Sequence, residues 1–220
     1  MIIESSENID WSSIKNIIFD WGGVVVNIDY NITVKQFEQI GIPGFHNLFS
    51  QEYQSNLFKD FERGKVSPDL IRDELKKHAN TEITNDQIDA AWNAMLLDTP
   101  KERINLINAL KDKFRLFLLS NTNRIHTSSY LERFKLEQNI DFFDLFEKIY
   151  LSCEVGMRKP DEEIYKYVCD NAMISPNETL FIDDTEHNLI TASNFGIQCY
   201  LHNGTDDITK YMAGLVENLN

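Results

Sequence analysis

The residues of this 220-residue chain that could perform chemistry together stand after short apolar runs. Asp20 follows NIIF, Ser120 follows RLFLL, the pair Asp183 and Asp184 follows TLFI, and Lys159 comes shortly after a fourth run, KIYL. Clustered carboxylates raise one another's proton affinity, and an oxygen-liganded divalent cation such as Mg²⁺ relieves that repulsion. A lysine and a hydroxyl beside the cation would surround an anion with several oxygens. The combination predicts a site for a phosphoryl group.

The apolar runs themselves predict the strands that must position these side chains. Five runs rich in β-branched and aromatic residues are typical of buried strands; they span 16–19, 115–119, 148–151, 179–182 and 198–201. Amphipathic patterns predict helices at 101–111, 127–134, 161–171, 186–195 and 207–219. This alternation predicts an α/β fold, a parallel sheet flanked by helices and joined by right-handed crossovers. In such a sheet ligands bind beyond the carboxyl ends of the strands, where the candidate residues stand.

One stretch, 31–99, interrupts the alternation because it contains helical patterns and no convincing strand. Ser67 before Pro68 predicts a helix start, and Thr84 with Gln87 matches a capping box. We therefore expect two domains: an α/β core from 1–30 and 100–220, and a small all-helical cap at 31–99 inserted after the first strand.

Composition and charge exclude several classes of protein. The formal net charge is −14, from 21 Lys and Arg against 35 Asp and Glu, and such a chain repels nucleic-acid backbones and anionic membranes. We expect no nucleic acid or membrane partner, and the polar, acidic first ten residues favour the cytoplasm. Three dispersed cysteines are typical of reduced thiols. The expected partner is a small phosphorylated metabolite, and a monomer is favoured.

Each candidate residue also has a purely structural explanation. Asp20 could be a turn residue before two glycines, Asp183 and Asp184 could cap a helix, Ser120 could belong to a polar turn, and Lys159 could be a solvated surface residue. The placement of all of them at strand ends, or in a strand-to-helix loop, favours a functional site.

At these residues the sequence resembles the haloacid dehalogenase superfamily over nearly its whole length. The four motifs of that superfamily are similar to IIFDWGGV at 17–24, LLSN at 118–121, GMRKPD at 156–161 and FIDD at 181–184. The details look closest to a branch of bacterial phosphatases that act on α-D-glucose 1-phosphate. The resemblance implies a Rossmann-like core with a helical cap of the C1 type.

The resemblance also implies roles for individual residues. It implies that Asp20 is a nucleophile that forms an aspartyl-phosphate, and that Lys159 and Ser120 are also catalytic. The implied Mg²⁺ ligands are Asp20, Asp184, the backbone carbonyl of Gly22, and Asp183, which either ligates directly or orients a metal-bound water. The implied substrate-binding residues are Ser120, Asn121, Lys159, Gly22 and Gly23.

Position 22 departs from the superfamily, most phosphatases of which carry a second aspartate there as acid and base. Because Gly22 has no side chain to transfer a proton, the rate enhancement from general acid–base catalysis, roughly a hundred- to ten-thousandfold, must come from another group or be absent. His126 and Glu62 are the candidates for that group. The missing aspartate at position 22 leaves two alternatives to a phosphatase. One is a metal-independent 2-haloacid dehalogenase, and the other is a catalytically weak protein that binds a phosphorylated metabolite and regulates a partner. Because such dehalogenases lack the acidic pair of the fourth motif as well, the pair at 183–184 favours the phosphatase.

The cap is expected to select the substrate. The sequence FERGK at 61–65 predicts a glycine-bearing turn that places Arg63 against the substrate, or alternatively a solvated loop. Further hypotheses concern four residues at the rim of the site. Asn27 and Asp29 could hydrogen-bond a sugar hydroxyl, Trp21 could form a wall of the site or pack in the core, and Arg124 could assist anion binding.

Overall fold

The structure, a computed structural model, describes residues 9–47, 56–203 and 208–209. Among these residues, five parallel strands form one sheet in the order β3-β2-β1-β4-β5. The strands are β1 (Asn16–Phe19), β2 (Arg115–Ser120), β3 (Lys148–Leu151), β4 (Thr179–Asp183) and β5 (Gln198–Leu201). All five predicted strands are present, and the predicted α/β fold is confirmed.

The central strand explains why these runs are apolar throughout. All four residues of β1 are buried, because helices cover both faces of the sheet. Since neighbouring side chains point to opposite faces, Ile17 and Phe19 join one apolar cluster and Ile18 joins the other. The register pairs Ile18 with Phe117 on β2 and with Phe181 on β4.

The helices alternate with the strands after an all-helical stretch that follows β1. They are α1 (Tyr30–Gln39), α2 (Asn56–Glu62), α3 (Pro68–Lys77), α4 (Asn85–Asn93), α5 (Lys101–Leu110), α6 (Arg124–Gln138), α7 (Ser152–Val155), α8 (Glu162–Ala172) and α9 (Glu186–Asn194). The first four lie between β1 and α5, as expected for a helical insertion. The domain boundaries at 30/31 and 99/100 stay predictions.

Helix boundaries follow the capping residues. Ser67 caps α3 and Thr84 forms a capping box with Gln87 on α4, as predicted. The start of α6 lies three residues before the predicted one, because the side chain of Asn123 accepts hydrogen bonds from two backbone amides of the first turn. The helix predicted at 207–219 lies outside the described residues, apart from 208–209. No helix in the described ranges is long and apolar enough to cross a membrane.

The insertion shares the apolar cluster that lies on one face of the sheet. Its α4 lies against α6, where the ring of Trp92 stacks on His126 at 5.6 Å between centroids. The two chain segments that enter and leave the insertion are hydrogen-bonded to each other. The amide of Asn27 donates to the carbonyl of Asp98, and the amide of Leu97 donates back to the carbonyl of Asn27, both at 2.9 Å. This antiparallel contact fixes where α1 begins.

Candidate active site

A cavity of about 820 Å³ lies at the carboxyl ends of β1, β2 and β4. Side chains from both the sheet and the helical insertion line it. From the sheet and its loops come Asp20, Gly22, Ser120, Asn121, Arg158, Lys159, Pro160, Asp161, Asp184, Thr185, Glu186, His187 and Asn188, and from the insertion come Tyr30, Lys59, Glu62 and Arg63. The cavity thus brings together all but two of the predicted site residues, which are Gly23 and Asp183.

Asp20 is held in place at the end of the central strand. Its amide continues the sheet by donating to the carbonyl of Ile182 at 2.8 Å. Its carboxylate oxygen Oδ1 accepts a hydrogen bond from the amide of Trp21 at 2.7 Å and lies 2.8 Å from Nζ of Lys159. The side chain is only 11% exposed, so Asp20 has one fixed orientation toward the cavity.

Lys159 is the buried cation of the site, with 1% of its side chain exposed. Its Nζ lies between two carboxylates, 2.8 Å from Asp20 and 2.6 Å from Asp183. Burial opposes its charge, but Asp183 and Asp20 outweigh that effect and raise the pKa of Lys159. The lysine is therefore charged and cannot leave without exposing two buried acids to each other.

The backbone of Lys159 is fixed by the side chain of Asn121, in the loop after β2. Nδ2 of Asn121 donates to the carbonyl of Lys159, and the amide of Lys159 donates to Oδ1 of Asn121, both at 2.8 Å. The same loop is fixed to α7, where Oγ of Ser152 contacts both the amide and the carbonyl of Thr122. The side chain of Asn121 is thus a positioning group, and its backbone amide remains the predicted contact to substrate.

The acidic pair divides into two roles. Asp183 is fully buried, and its carboxylate accepts from the amide of Thr185 at 2.7 Å and from Asn188 at 3.1 Å, in addition to Lys159. Asp184 lies at the cavity, where its carboxylate accepts a hydrogen bond from the hydroxyl of Thr185 at 3.1 Å. We infer that Asp183 holds Lys159 and that Asp184 faces the ligand.

Gly23 serves this acidic pair and does not line the described cavity. Its φ of +76° is a left-handed conformation that favours glycine. A Cβ at this position would overlap Oδ2 of Asp184. Gly23 therefore permits a close approach of Asp184 that a side chain would block, and its contact with substrate stays a prediction.

The donor set fits a hard divalent cation. One carboxylate oxygen from each of Asp20, Asp183 and Asp184 lies within 4.8 Å of the others. Burial, with the charges of its acidic neighbours, raises the pKa of Asp20 in spite of Lys159, and burial with Asp183 raises the pKa of Asp184 to about 6. Crowded acids with raised proton affinity and all-oxygen donors are what Mg²⁺ binds.

The insertion closes the opposite side of the cavity through α2. Oε2 of Glu62 accepts from Nε of Arg158 at 2.9 Å, and both side chains are nearly buried. One residue further on, Nη2 of Arg63 lies 2.8 Å from Oδ2 of Asp161. Asp161 occupies the N-cap position of α8, but its side chain makes no capping hydrogen bond. Two ion pairs therefore connect α2 to the loop that carries Lys159.

Three residues considered for the rim from the sequence have other surroundings in the structure. His126 is buried against Trp92 and contacts Asn93, and burial lowers its pKa to about 3, so it is no acid at this cavity. Trp21 packs edge-on against Tyr130, 4.8 Å between centroids, and so has the packing role. Arg124 is exposed at the start of α6 and does not line the described cavity.

Asn27 and Asp29 also have structural roles. Nδ2 of Asn27 donates to Asp98 at 3.0 Å, and Asp29 caps α1 by accepting from the amide of Asn31 at 2.9 Å. The segment after the first strand does reach the cavity, but the residue of this segment that lines it is the neighbouring Tyr30.

Six of the lining residues are not singled out in the sequence analysis: Tyr30, Lys59, Thr185, Glu186, His187 and Asn188. Glu186 and His187 begin α9 directly after the acidic pair, so their place could have been inferred from the strand-end rule. Tyr30 and Lys59 reach the site only through the packing of the insertion, which no short-range pattern specifies.

The family follows from comparison with known proteins. Residues 14–196 match the haloacid dehalogenase-like hydrolases. The chain belongs to this family. The hydrolase is 30% identical over 194 residues to the D-ribitol-5-phosphate phosphatase of Bacteroides thetaiotaomicron, covering 88% of this chain and 94% of that relative.

Solved structures place the hydrolase in the same family. A family enzyme of Bacteroides thetaiotaomicron, crystallised as an aspartate-to-alanine mutant with magnesium and inorganic phosphate, matches with a TM-score of 0.85 at 36% identity, covering 88% of this chain and 96% of that one. A predicted hydrolase of Porphyromonas gingivalis matches with a TM-score of 0.84 at 30% identity, covering 94% and 98%. A dehalogenase at 18% identity and a TM-score of 0.60 shares the fold alone. The predicted superfamily and hydrolase class are confirmed.

Proposed function

We propose that this hydrolase is a Mg²⁺-dependent phosphatase that cleaves a small phosphorylated metabolite through an aspartyl-phosphate on Asp20. The observation that carries the proposal is the buried Lys159 between Asp20 and Asp183, with Asp184 at the same cavity. A fixed carboxylate, a fixed cation and a second acid are the groups that phosphoryl transfer needs. The phosphatase among the relatives and the neighbour structure that contains magnesium and phosphate support the same chemistry.

The chain's own groups account for both steps. Both described contacts of the Asp20 carboxylate fall on Oδ1, so we assign Oδ2 to attack phosphorus while the ester P–O bond breaks. Water then cleaves the acyl phosphate, which returns Asp20 and releases inorganic phosphate. Lys159 stabilises charge on the phosphoryl oxygens, and Ser120 with the amide of Asn121 donates hydrogen bonds to them.

Asp20 and Asp184 would hold the Mg²⁺, with the backbone carbonyl of Gly22 as a further ligand from the same cavity wall. When bound, the ion neutralises negative charge on the phosphoryl oxygens. Asp183 acts through Lys159, because its oxygens already accept hydrogen bonds from Lys159, Asn188 and the amide of Thr185.

The lining beyond the acidic cluster favours a substrate whose remainder is uncharged and rich in hydroxyls. The charged residues that line this part of the cavity are three cations, Lys59, Arg63 and Arg158, and three acids, Glu62, Asp161 and Glu186. Arg158 is paired with Glu62, and Arg63 is paired with Asp161. Such a wall offers hydrogen bonds without excess charge for a second phosphate or an amine. Glucose 1-phosphate, favoured by the sequence resemblance, and ribitol 5-phosphate, favoured by the relative, both belong to this class.

Release of inorganic phosphate from a panel of esters tests the proposal. The panel holds glucose 1-phosphate, ribitol 5-phosphate, a sugar bisphosphate and a nucleotide, each with Mg²⁺ and with EDTA. We expect release that needs Mg²⁺, prefers the two monophosphates of polyhydroxylated compounds, and is lost in Asp20→Asn. Asp112→Asn, at an exposed turn, is the matched control and keeps the activity.

Two other outcomes would contradict the proposal. Metal-independent halide release from a 2-haloacid in a parallel assay would identify a dehalogenase instead. Saturable binding of inorganic phosphate without turnover of any ester would identify a phosphometabolite-binding regulatory protein.

A further inference from the structure

Gly22, two residues after Asp20, lies close to another part of the chain. A Cβ placed on Gly22 would lie 3.2 Å from Cδ1 and 3.5 Å from Cγ2 of Ile28. The first distance is tighter than ordinary van der Waals contact. The side chain of Ile28, in the segment that leads into α1, therefore packs against position 22 and would have to shift to admit a side chain there.

That segment is fixed at both ends. Asn27 is hydrogen-bonded to Leu97 and Asp98 through the backbone, and the amide of Asp29 donates to the carbonyl of Met95 at 3.0 Å. Asp29 then caps α1, so the next residue, Tyr30, begins the helix in a defined place.

Tyr30 lines the cavity together with Asp20, Gly22, Glu62 and Asp184. Burial, followed by the charges of Asp184 and Glu62, raises the pKa of its hydroxyl above the ordinary value. A phenol whose pKa lies above its ordinary value near 10 keeps its proton at neutral pH. It can donate a hydrogen bond into the cavity but does not act as a base.

We propose that Tyr30 takes over part of the task of the missing side chain at position 22, by donating a hydrogen bond to the ester oxygen of the substrate. This inference rests on the proposed phosphatase function. As the bond from Asp20 to phosphorus forms and the ester P–O bond breaks, negative charge develops on that oxygen. The hydrogen bond stabilises this charge, the phenol retains its proton, and the departing alkoxide takes a proton from water.

The consequence is a dependence on the leaving group. An alkyl phosphate, such as a sugar phosphate, leaves as a basic alkoxide that needs a donor, whereas p-nitrophenyl phosphate leaves as a stabilised phenolate that does not. A hydrogen bond to a charged oxygen corresponds to roughly 10- to 100-fold in rate. The effect of losing Tyr30 should therefore appear with one substrate class and largely vanish with the other.

The test compares kcat/KM of wild type and Tyr30→Phe with the best alkyl phosphate of the panel and with p-nitrophenyl phosphate. We expect Tyr30→Phe to lose roughly 10- to 100-fold with the alkyl phosphate and less than about threefold with the aryl phosphate. The pH profile should keep its shape, because the phenol is not titrating. Tyr167→Phe is the matched control: it lies on α8, packs against Tyr150 and does not line the described cavity.

Equal losses with both substrates would mean that Tyr30 only packs the site, and no loss would mean that its hydroxyl does not contact the ester oxygen; either result overturns the inference. A wild type that releases phosphate from no ester overturns the proposed function itself. An active wild type with an unaffected Tyr30→Phe overturns only the role of Tyr30. The two failures are thus distinguishable in one experiment.

Discussion

The two walls of the cavity are built in different ways. On the sheet side, Lys159, Asp20 and Asp183 form buried contacts of 2.6–2.8 Å, and Asn121 fixes the backbone of the lysine. On the insertion side, Glu62 and Arg63 reach across to Arg158 and Asp161, and the outer of these two pairs is 22% and 47% exposed. Buried charge networks are costly to break, whereas exposed pairs contribute little. The comparison indicates that the chemistry is fixed by the sheet, whereas one nearly buried ion pair and one more exposed pair connect the insertion to it at the cavity.

The largest effect is expected at the centre of the sheet-side wall. Replacing Lys159 by methionine removes the only cation between Asp20 and Asp183 in the described structure and leaves the two acids facing each other. We expect kcat/KM to fall by roughly 10²–10³-fold, as for the loss of one charge-stabilising group. Phosphate release measures it, and circular dichroism checks the fold. Since methionine could also unfold the protein, Lys159→Arg is the second variant. A folded Lys159→Met protein with near wild-type turnover would contradict the scheme.

A smaller effect is expected at Asn121, which acts through Lys159. Asn121→Ala removes both hydrogen bonds to the lysine backbone but keeps every charge. By analogy with residues that orient catalytic ligands, kcat should fall roughly ten- to a hundredfold, with KM changed much less. Asn105→Ala, at an exposed position on α5, is a control for the substitution itself. If KM rose and kcat did not change, the side chain would be a substrate contact and the assignment as a positioning group would fail.

The sheet-side wall is the part that the sequence predicts best, and the reason is topological. Parallel strands end at one edge, so the residues after NIIF, RLFLL and TLFI had to meet. Lys159 could be placed for the same reason, because its loop follows β3. The role of Asn121 could not be predicted, since hydrogen bonds across 38 residues leave no local pattern.

The insertion-side wall shows where such reasoning ends. Helix starts at Ser67 and Thr84 could be predicted because capping is local. The orientation of the insertion depends on side chains far apart in sequence, such as Trp92 on α4 and His126 on α6. Without that packing, His126 was a reasonable acid candidate and Tyr30 an ordinary helix residue. In the structure His126 is buried against Trp92, whereas Tyr30 lines the cavity.

A second contact between the insertion and the core, that of Trp92 on α4 with His126 on α6, is also buried. Burial lowers the pKa of His126 to about 3, below the ordinary value near 6.5, so the folded protein keeps this imidazole neutral while the unfolded chain protonates it. The free energy of unfolding should therefore fall as the pH drops below about 6.5, by roughly 1.4 kcal/mol per pH unit from this group.

Urea unfolding at pH 7 and pH 5 measures this contribution. Between these values wild type should lose about 2 kcal/mol more than His126→Gln. His78→Gln, at an exposed position, should behave like wild type. Comparing variants isolates the histidine from the carboxylates that titrate in the same range. If wild type and His126→Gln lost the same stability between pH 7 and pH 5, the folded protein would not keep the imidazole of His126 neutral.

The smallest effect is expected at the exposed ion pair, where the prediction also separates two roles of Arg63. As a partner of Asp161, Arg63 contributes about 0.2–1 kcal/mol, so Arg63→Gln should lower kcat/KM less than about fivefold, and Asp161→Asn should do the same. Added salt should reduce both effects because the pair is solvent-exposed. If Arg63 instead contacts the substrate, as the sequence predicts, Arg63→Gln should raise KM strongly, and Asp161→Asn should leave KM unchanged. The double variant decides between them: an effect no larger than either single change indicates one shared contact between the two walls.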